Sequence, residues 1–267
     1  MKRKKRRNTA KLRRLDWILL GVMAAAVVML IITLSGYAAD RNSYEKAKAL
    51  AVSTPAPTVA ITQPPAATPT PTPLPTSPIT VDFDAIREEG RHVRAWIVCE
   101  DTLINYPVTY YTNNSYYLTH DYTGKRSNAG ALLFDTRVQK ELLGDNLIIY
   151  GHHMKDRSMF GSLLQYQKQA YYDEHPTMYL LTLDGNYRID LVAGRFMDSD
   201  GKNYPIWFAD EQAKKAYIMT AIANSDFVPA DADYRPDTRM ITLVTCAYSN
   251  YIEDAKYQVV GWLTPIG

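Results

Sequence analysis

Thr242-Leu243-Val244-Thr245-Cys246 is a short run of β-type residues that ends on one of only two cysteines in the chain. Extended backbone alternates its side chains. Ile241, Leu243 and Thr245 therefore share one face, and Met240, Thr242, Val244 and Cys246 the other. Ala247-Tyr248-Ser249-Asn250 breaks the pattern, so Cys246 falls where a strand gives way to a loop. A thiol there is held by a sheet and open to a substrate, although the run alone fits a buried core cysteine equally well. A second stretch, Asn146-Leu147-Ile148-Ile149-Tyr150-Gly151-His152-His153, has the same plan: an apolar strand ending on a potential general base.

Outward from these two strands, the chain divides by composition. Residues 1–16, MKRKKRRNTAKLRRLD, hold most of the basic excess of a 267-residue chain whose net charge is only +2. Such a run suits nucleic acid, but its position argues for another use. Trp17 to Ala39 follows without a charge, and about 23 helical residues at 1.5 Å each span the roughly 30 Å hydrocarbon core of a bilayer. The Lys and Arg before it predict a cytoplasmic N-terminus and an exported C-terminal bulk. Tyr37-Ala38-Ala39 offers small residues to a signal peptidase, yet the apolar run exceeds an ordinary signal core, so residues 17–39 read as an uncleaved single-pass anchor. The lipid bilayer is thus one expected partner, and nucleic acid is not.

Residues 40–80 read as an extracellular spacer. Tyr44-Glu45-Lys46-Ala47-Lys48-Ala49-Leu50 suggests a short helix, and Ser53 to Thr80 is rich in Pro, Thr and Ala, which favours extended polyproline conformation. At about 3.1 Å per residue, that composition predicts a stand-off of several tens of ångströms.

Residues 81–267 are long enough for one domain with a real core. Asp82 to Val93 reads as an amphipathic helix. Eight short strands are expected at Ala95–Cys99, Tyr106–Thr109, Ala131–Phe134, Leu147–Tyr150, Met178–Leu183, Arg188–Phe196, Arg239–Cys246 and Lys256–Leu263. That spacing points to a β-barrel or sandwich. Helices are expected over 158–169 and 209–224, the second burying Ala213, Ala216, Tyr217, Thr220 and Ala221.

The chemistry of the two strand ends is that of a thiolate raised by an imidazole. His92, His120 and His175 sit in polar or turn contexts. Because neighbours on an extended backbone point opposite ways, only one of His152 and His153 can face the thiol. A zinc site through His152, His153 and Cys246 lacks the i, i+4 spacing of helical zinc motifs. A Cys99–Cys246 disulfide is conceivable in an exported chain, but Cys99 lies inside an apolar strand and reads as core.

With these residues in view, the exported part resembles a class B sortase. The stretches that carry the likeness are AWIVCEDTLINYPV, NNSYYLTHDY, NAGALLFDTR, NLIIYGHHMKDRSMFGSLLQY, ITLVTC and KYQVVGWL, spread over most of residues 95–263. The resemblance implies a mainly β fold with added helices: a closed eight-stranded sortase-type β-barrel, behind one transmembrane helix and the Pro/Thr-rich spacer. It implies that Cys246 is the nucleophile and His152 the catalytic histidine. The family's third residue is an arginine ten positions after the cysteine, where this chain has Lys256. Lysine keeps the charge and loses the planar fork. Thr245 matches the threonine before the cysteine, while Asn114 and Leu118 match positions lining the peptide groove. The implied activity is that of a membrane-anchored cysteine transpeptidase that needs no metal or organic cofactor. Its implied partners are the sorting-motif peptide of an exported protein, with an NPxTx-like sequence, and a peptidoglycan precursor amine. A pilin-polymerising sortase, a hydrolytic cysteine protease and a non-catalytic peptide- or wall-binding module are the rival readings.

Overall fold

The computed structural model describes residues 2–54, 76–197, 204–246 and 255–267, with side chains from residue 16 onward apart from that of Cys246. Residues 55–75 of the Pro/Thr-rich stretch and Ala247 to Asn250 lie outside the described residues. Two compact units are present, Met1–Asn42 and Ser43–Gly267. The first is helical: α1 runs Lys2–Ala51, and its side chains from Trp17 to Leu34 are exposed and almost all apolar.

The second unit begins inside α1. Tyr44, Ala47 and Ala51 are buried, and the chain continues into β1 (Val52–Ser53), which pairs with β2 (Thr80–Val81). The Asp82 amide extends this ladder by donating to the Ala51 carbonyl at 2.8 Å. The Pro/Thr-rich stretch thus leaves from and returns to one ladder. Its two described ends, Ser53 and Thr80, pair with each other, and the expected extended stretch between them lies mostly outside the described residues.

The rest of this unit is built on a closed barrel. Its strands are β3 (Val93–Val98), β4 (Asn105–Thr109), β5 (Leu132–Phe134), β6 (Asn146–Gly151), β7 (Thr177–Thr182), β8 (Asn186–Met197), β9 (Arg239–Cys246) and β10 (Lys256–Ile266). They follow the order β10-β8-β7-β3-β4-β5-β6-β9 and close between β9 and β10. All eight expected strands are present. Pairs β4/β5 and β6/β9 are parallel, and the rest are antiparallel. Closure removes the unpaired edges that an open sheet of these apolar strands would expose.

Two short helices sit near the expected positions. Helix α2 (Phe83–Glu89) is capped by Asp82, and the 158–169 helix is instead a 3₁₀ segment, Gly161–Gln167, followed by α3 (Gln169–Glu174).

Alternation along β9 and β10 sorts the two faces. Met240, Val260 and Trp262 pack outward against Ile218 and Ala221 of α4 (Glu211–Ala223). Ile241, Leu243 and Val259 therefore point into the barrel, where all three are fully buried. Asp210 caps α4 by accepting from the Ala213 amide at 2.7 Å. The buried stripe of α4 is rotated from the expected one. Ala216 and Thr220 are exposed, whereas Lys214 is buried, because its ammonium reaches the Pro236 carbonyl at 2.7 Å. A lysine stem can cover apolar surface while its tip finds an acceptor, which charge-based face assignment overlooks.

Candidate active site

Strand β9 lies between β6 and β10, and the register brings three strand ends to one rim. Cys246 pairs with Lys256, the first residue of β10. Thr245 pairs with Gly151, the last residue of β6. Because β6 and β9 are parallel, one further step puts His152 level with Cys246. Cys246 and Lys256 are thus neighbours across two strands, and His152 follows directly on the end of the third.

Gly151 makes this close approach possible. A Cβ there would stand 2.4 Å from Leu132 Cδ2 and 2.6 Å from Phe160 Cδ2, so a side chain would push β6 off its neighbours. The His152 carbonyl then accepts from the Phe160 amide at 3.1 Å, which ties down the turn after the strand.

The half-buried His152 ring is held from the other side. Its Nε2 lies 2.6 Å from the carbonyl oxygen of Leu118. A carbonyl can only accept, so Nε2 carries the proton and the lone pair of the neutral ring is on Nδ1. Leu118 closes a 3₁₀ turn, Tyr116–Leu118, in the long connection between β4 and β5. Its side chain is exposed, as is Asn114, whose Oδ1 accepts from the Thr136 amide at 2.9 Å. Thr245 differs from these two: it is buried, facing Gly151 and Tyr257 on the inner side.

His153 has a different setting. It forms an isolated β-bridge with Met159, and burial pushes its imidazole below the ordinary histidine range. His92 bonds through Nδ1 to the Tyr117 hydroxyl at 2.8 Å, and His120 stacks on Tyr116 at 4.2 Å. Cys99 is a free, buried thiol 3.7 Å from the Tyr166 hydroxyl and is pushed up by burial.

The structure adds a buried carboxylate that sequence reasoning passed over. Asp135, next after β5, receives Arg137 Nε at 2.9 Å, Arg137 Nη2 at 2.8 Å and the Tyr150 hydroxyl at 2.9 Å. Burial raises the Asp135 carboxyl, but these bonds and the Arg137 amide outweigh it, and the group ends below the usual carboxylate range. Tyr150 is two residues before His152, so the network pins the strand end that presents the histidine. The visible signal was an Asp and an Arg two apart, directly after an apolar strand.

Similarity to known proteins bears on the family and the fold. No protein-family model matches the chain. A sortase B of Listeria monocytogenes is 30% identical over 168 residues, which cover 63% of this chain and 68% of the relative. Among solved structures, sortase B from B. anthracis aligns with a TM-score of 0.67 at 23% identity, covering 87% of this chain and 99% of the other. A Staphylococcus aureus sortase B–substrate complex aligns at 0.64 and 24% identity, covering 69% and 85%. The closed barrel is that of a sortase, a cysteine transpeptidase. Within that class the chain belongs to the sortase B family.

Proposed function

We propose that the chain is a membrane-anchored sortase in which Cys246 attacks the carbonyl of a sorting motif, with His152 and Lys256 beside it. The observation that carries this reading is the register that pairs Cys246 of β9 with Lys256 of β10 and Thr245 with Gly151, the end of β6, directly before His152. In the first half-reaction the Cys246 sulfur bonds to the carbonyl carbon, and the peptide C–N bond breaks. His152 takes the thiol proton at Nδ1 and passes it to the departing amine, which leaves a thioacyl enzyme. In the second, an acceptor amine attacks the thioester, the C–S bond breaks, and the imidazole carries the amine's proton to the departing sulfur, which restores the thiol. Lys256 offers one N–H toward the negative charge that develops on the carbonyl oxygen.

Asn114 and Leu118 line the peptide groove in this reading, and Thr245 contributes through the strand backbone beside the thiol, since its side chain is buried. Sortase B has been solved in complex with substrate and with triglycine, which favours a sorting peptide as donor and an oligoglycine-type wall amine as acceptor. Residues 17–39 form the anchor, residues 1–16 the cytoplasmic tail, and the barrel within 81–267 carries the chemistry outside the membrane. The support for the anchor is the long exposed apolar helix at the N-terminus.

Intact-mass analysis of the purified chain with NPxTx-type peptides tests the reading. A thioacyl adduct on Cys246 that disappears on adding triglycine, with a transpeptidated product, is expected. Hydrolysis unchanged by the amine would indicate a protease, and no adduct at all a binding module.

A further inference from the structure

We propose that Tyr44, near the C-terminal end of α1, is a positioning residue for His152. The inference rests on the catalytic reading of His152 given above. Tyr44 is buried, with its ring 5.2 Å from Tyr106 edge-on and 5.9 Å from Tyr122. Its hydroxyl donates to the carbonyl of Gly130.

Gly130 is where that contact meets the active-site histidine. It has φ +60, and a Cβ there would lie 2.6 Å from the Tyr117 carbonyl, 2.9 Å from the Leu118 carbonyl and 3.1 Å from His152 Cδ2. The adjacent Ala131 amide donates to the Tyr117 carbonyl at 2.8 Å. One glycine is therefore gripped by Tyr44 and packed against both the His152 ring and the carbonyl that receives its Nε2 proton.

Two further contacts act in the same direction. Ser43 Oγ donates to Asp121 Oδ2 at 2.8 Å, and the other oxygen of this buried carboxylate collects Thr123 and Lys125 amides in the turn after Leu118. Tyr106, on which the Tyr44 ring rests, accepts at its hydroxyl from the Met159 amide at 3.2 Å, and Met159 bridges to His153. The helix end thus braces both chain segments that flank His152. Losing one such brace lets the imidazole wander, and misplacement on the ångström scale is enough to slow a positioned proton transfer by up to about 100-fold.

The test uses the full chain in detergent. Tyr44→Phe keeps the ring contacts and removes the hydroxyl, Ser43→Ala removes the Asp121 bond, and Lys46→Ala cuts only an exposed ion pair with Glu89. Single-turnover acylation by Tyr44→Phe is expected to fall about 10-fold, with peptide KM and melting temperature near the parent's. Ser43→Ala should fall less, and Lys46→Ala should match the parent. Nitrogen-15 spectra of the His152 ring should show the Nε2–H tautomer in the parent and a mixture in Tyr44→Phe. Parent-like acylation and an unchanged tautomer in Tyr44→Phe, with His152→Ala inactive, would overturn the inference. An active His152→Ala would instead overturn the reading on which it rests.

Discussion

The Nε2 atom of His152 sits 2.6 Å from the Leu118 carbonyl oxygen, and that one bond assigns the two ring nitrogens different jobs. Nε2–H holds the ring in place, and Nδ1 is the atom that can exchange a proton. The carbonyl comes from the 3₁₀ turn Tyr116–Leu118, so a shift of that turn also moves the imidazole.

His152 and His153 are expected to differ sharply in consequence. His152→Ala should lower single-turnover acylation by about 10²–10⁴, the range for losing a positioned acid–base group. His153, bridged to Met159 and pushed below the ordinary histidine range by burial, should cost at most a few-fold on substitution by Ala. Equal losses measured on one sorting peptide would contradict the assignment.

The two strands that end on His152 and Cys246 were legible because period-2 alternation and a terminal reactive side chain are local signals. The eight barrel strands were legible for the same reason. The α4 face was not, because burial of Lys214 depends on the Pro236 carbonyl, a partner 22 residues away. Nor was the Asp135–Arg137–Tyr150 network, which joins β5 to β6 only once those two strands pair. Tyr44 stood in a stretch whose composition spoke of a spacer. Its burial depends on Tyr106, Tyr122 and Gly130, none of which is local in sequence.

Reactivity should separate the two cysteines. Burial holds the Cys99 thiol above its ordinary pKa and shields it from reagents. At neutral pH, iodoacetamide is expected to modify Cys246 in the folded chain and Cys99 only after denaturation, as read by peptide mapping. Cys246→Ala should abolish thioacyl formation and leave the melting temperature within a few degrees of the parent. Cys99→Ala should retain activity and lose about 1 kcal/mol of stability to the small cavity it leaves.

The Asp135 network should contribute stability that depends on acid. Its folded pKa is depressed, so the contribution is complete above the unfolded value of about 4 and is lost as pH falls through that value toward the folded pKa. Asp135→Asn is expected to cost about 2 kcal/mol at pH 7, the range for a hydrogen bond to a charged group. The difference in melting temperature between parent and variant should shrink steadily between about pH 5 and pH 3. A gap that is constant over this window would mean that shape, and not charge, holds the end of β6.

Lys256 stands where the resemblance implies an arginine, so its substitution bears most directly on how the proposed site handles charge. It lies opposite Cys246 in the β9–β10 ladder and is half-buried. An ammonium donates from a single point, whereas a guanidinium presents a planar fork able to hold two oxygens at once. Removing a single oxyanion donor typically costs about 10²–10³ in rate. Lys256→Ala should therefore acylate about 10²–10³ more slowly, with little change in peptide KM, since the lost bond is made in the transition state. Lys256→Arg should match or exceed the parent. If Lys256→Ala acylates as fast as the parent in the same single-turnover assay, the lysine only guards the start of β10, and the charge facing the oxyanion comes from another residue.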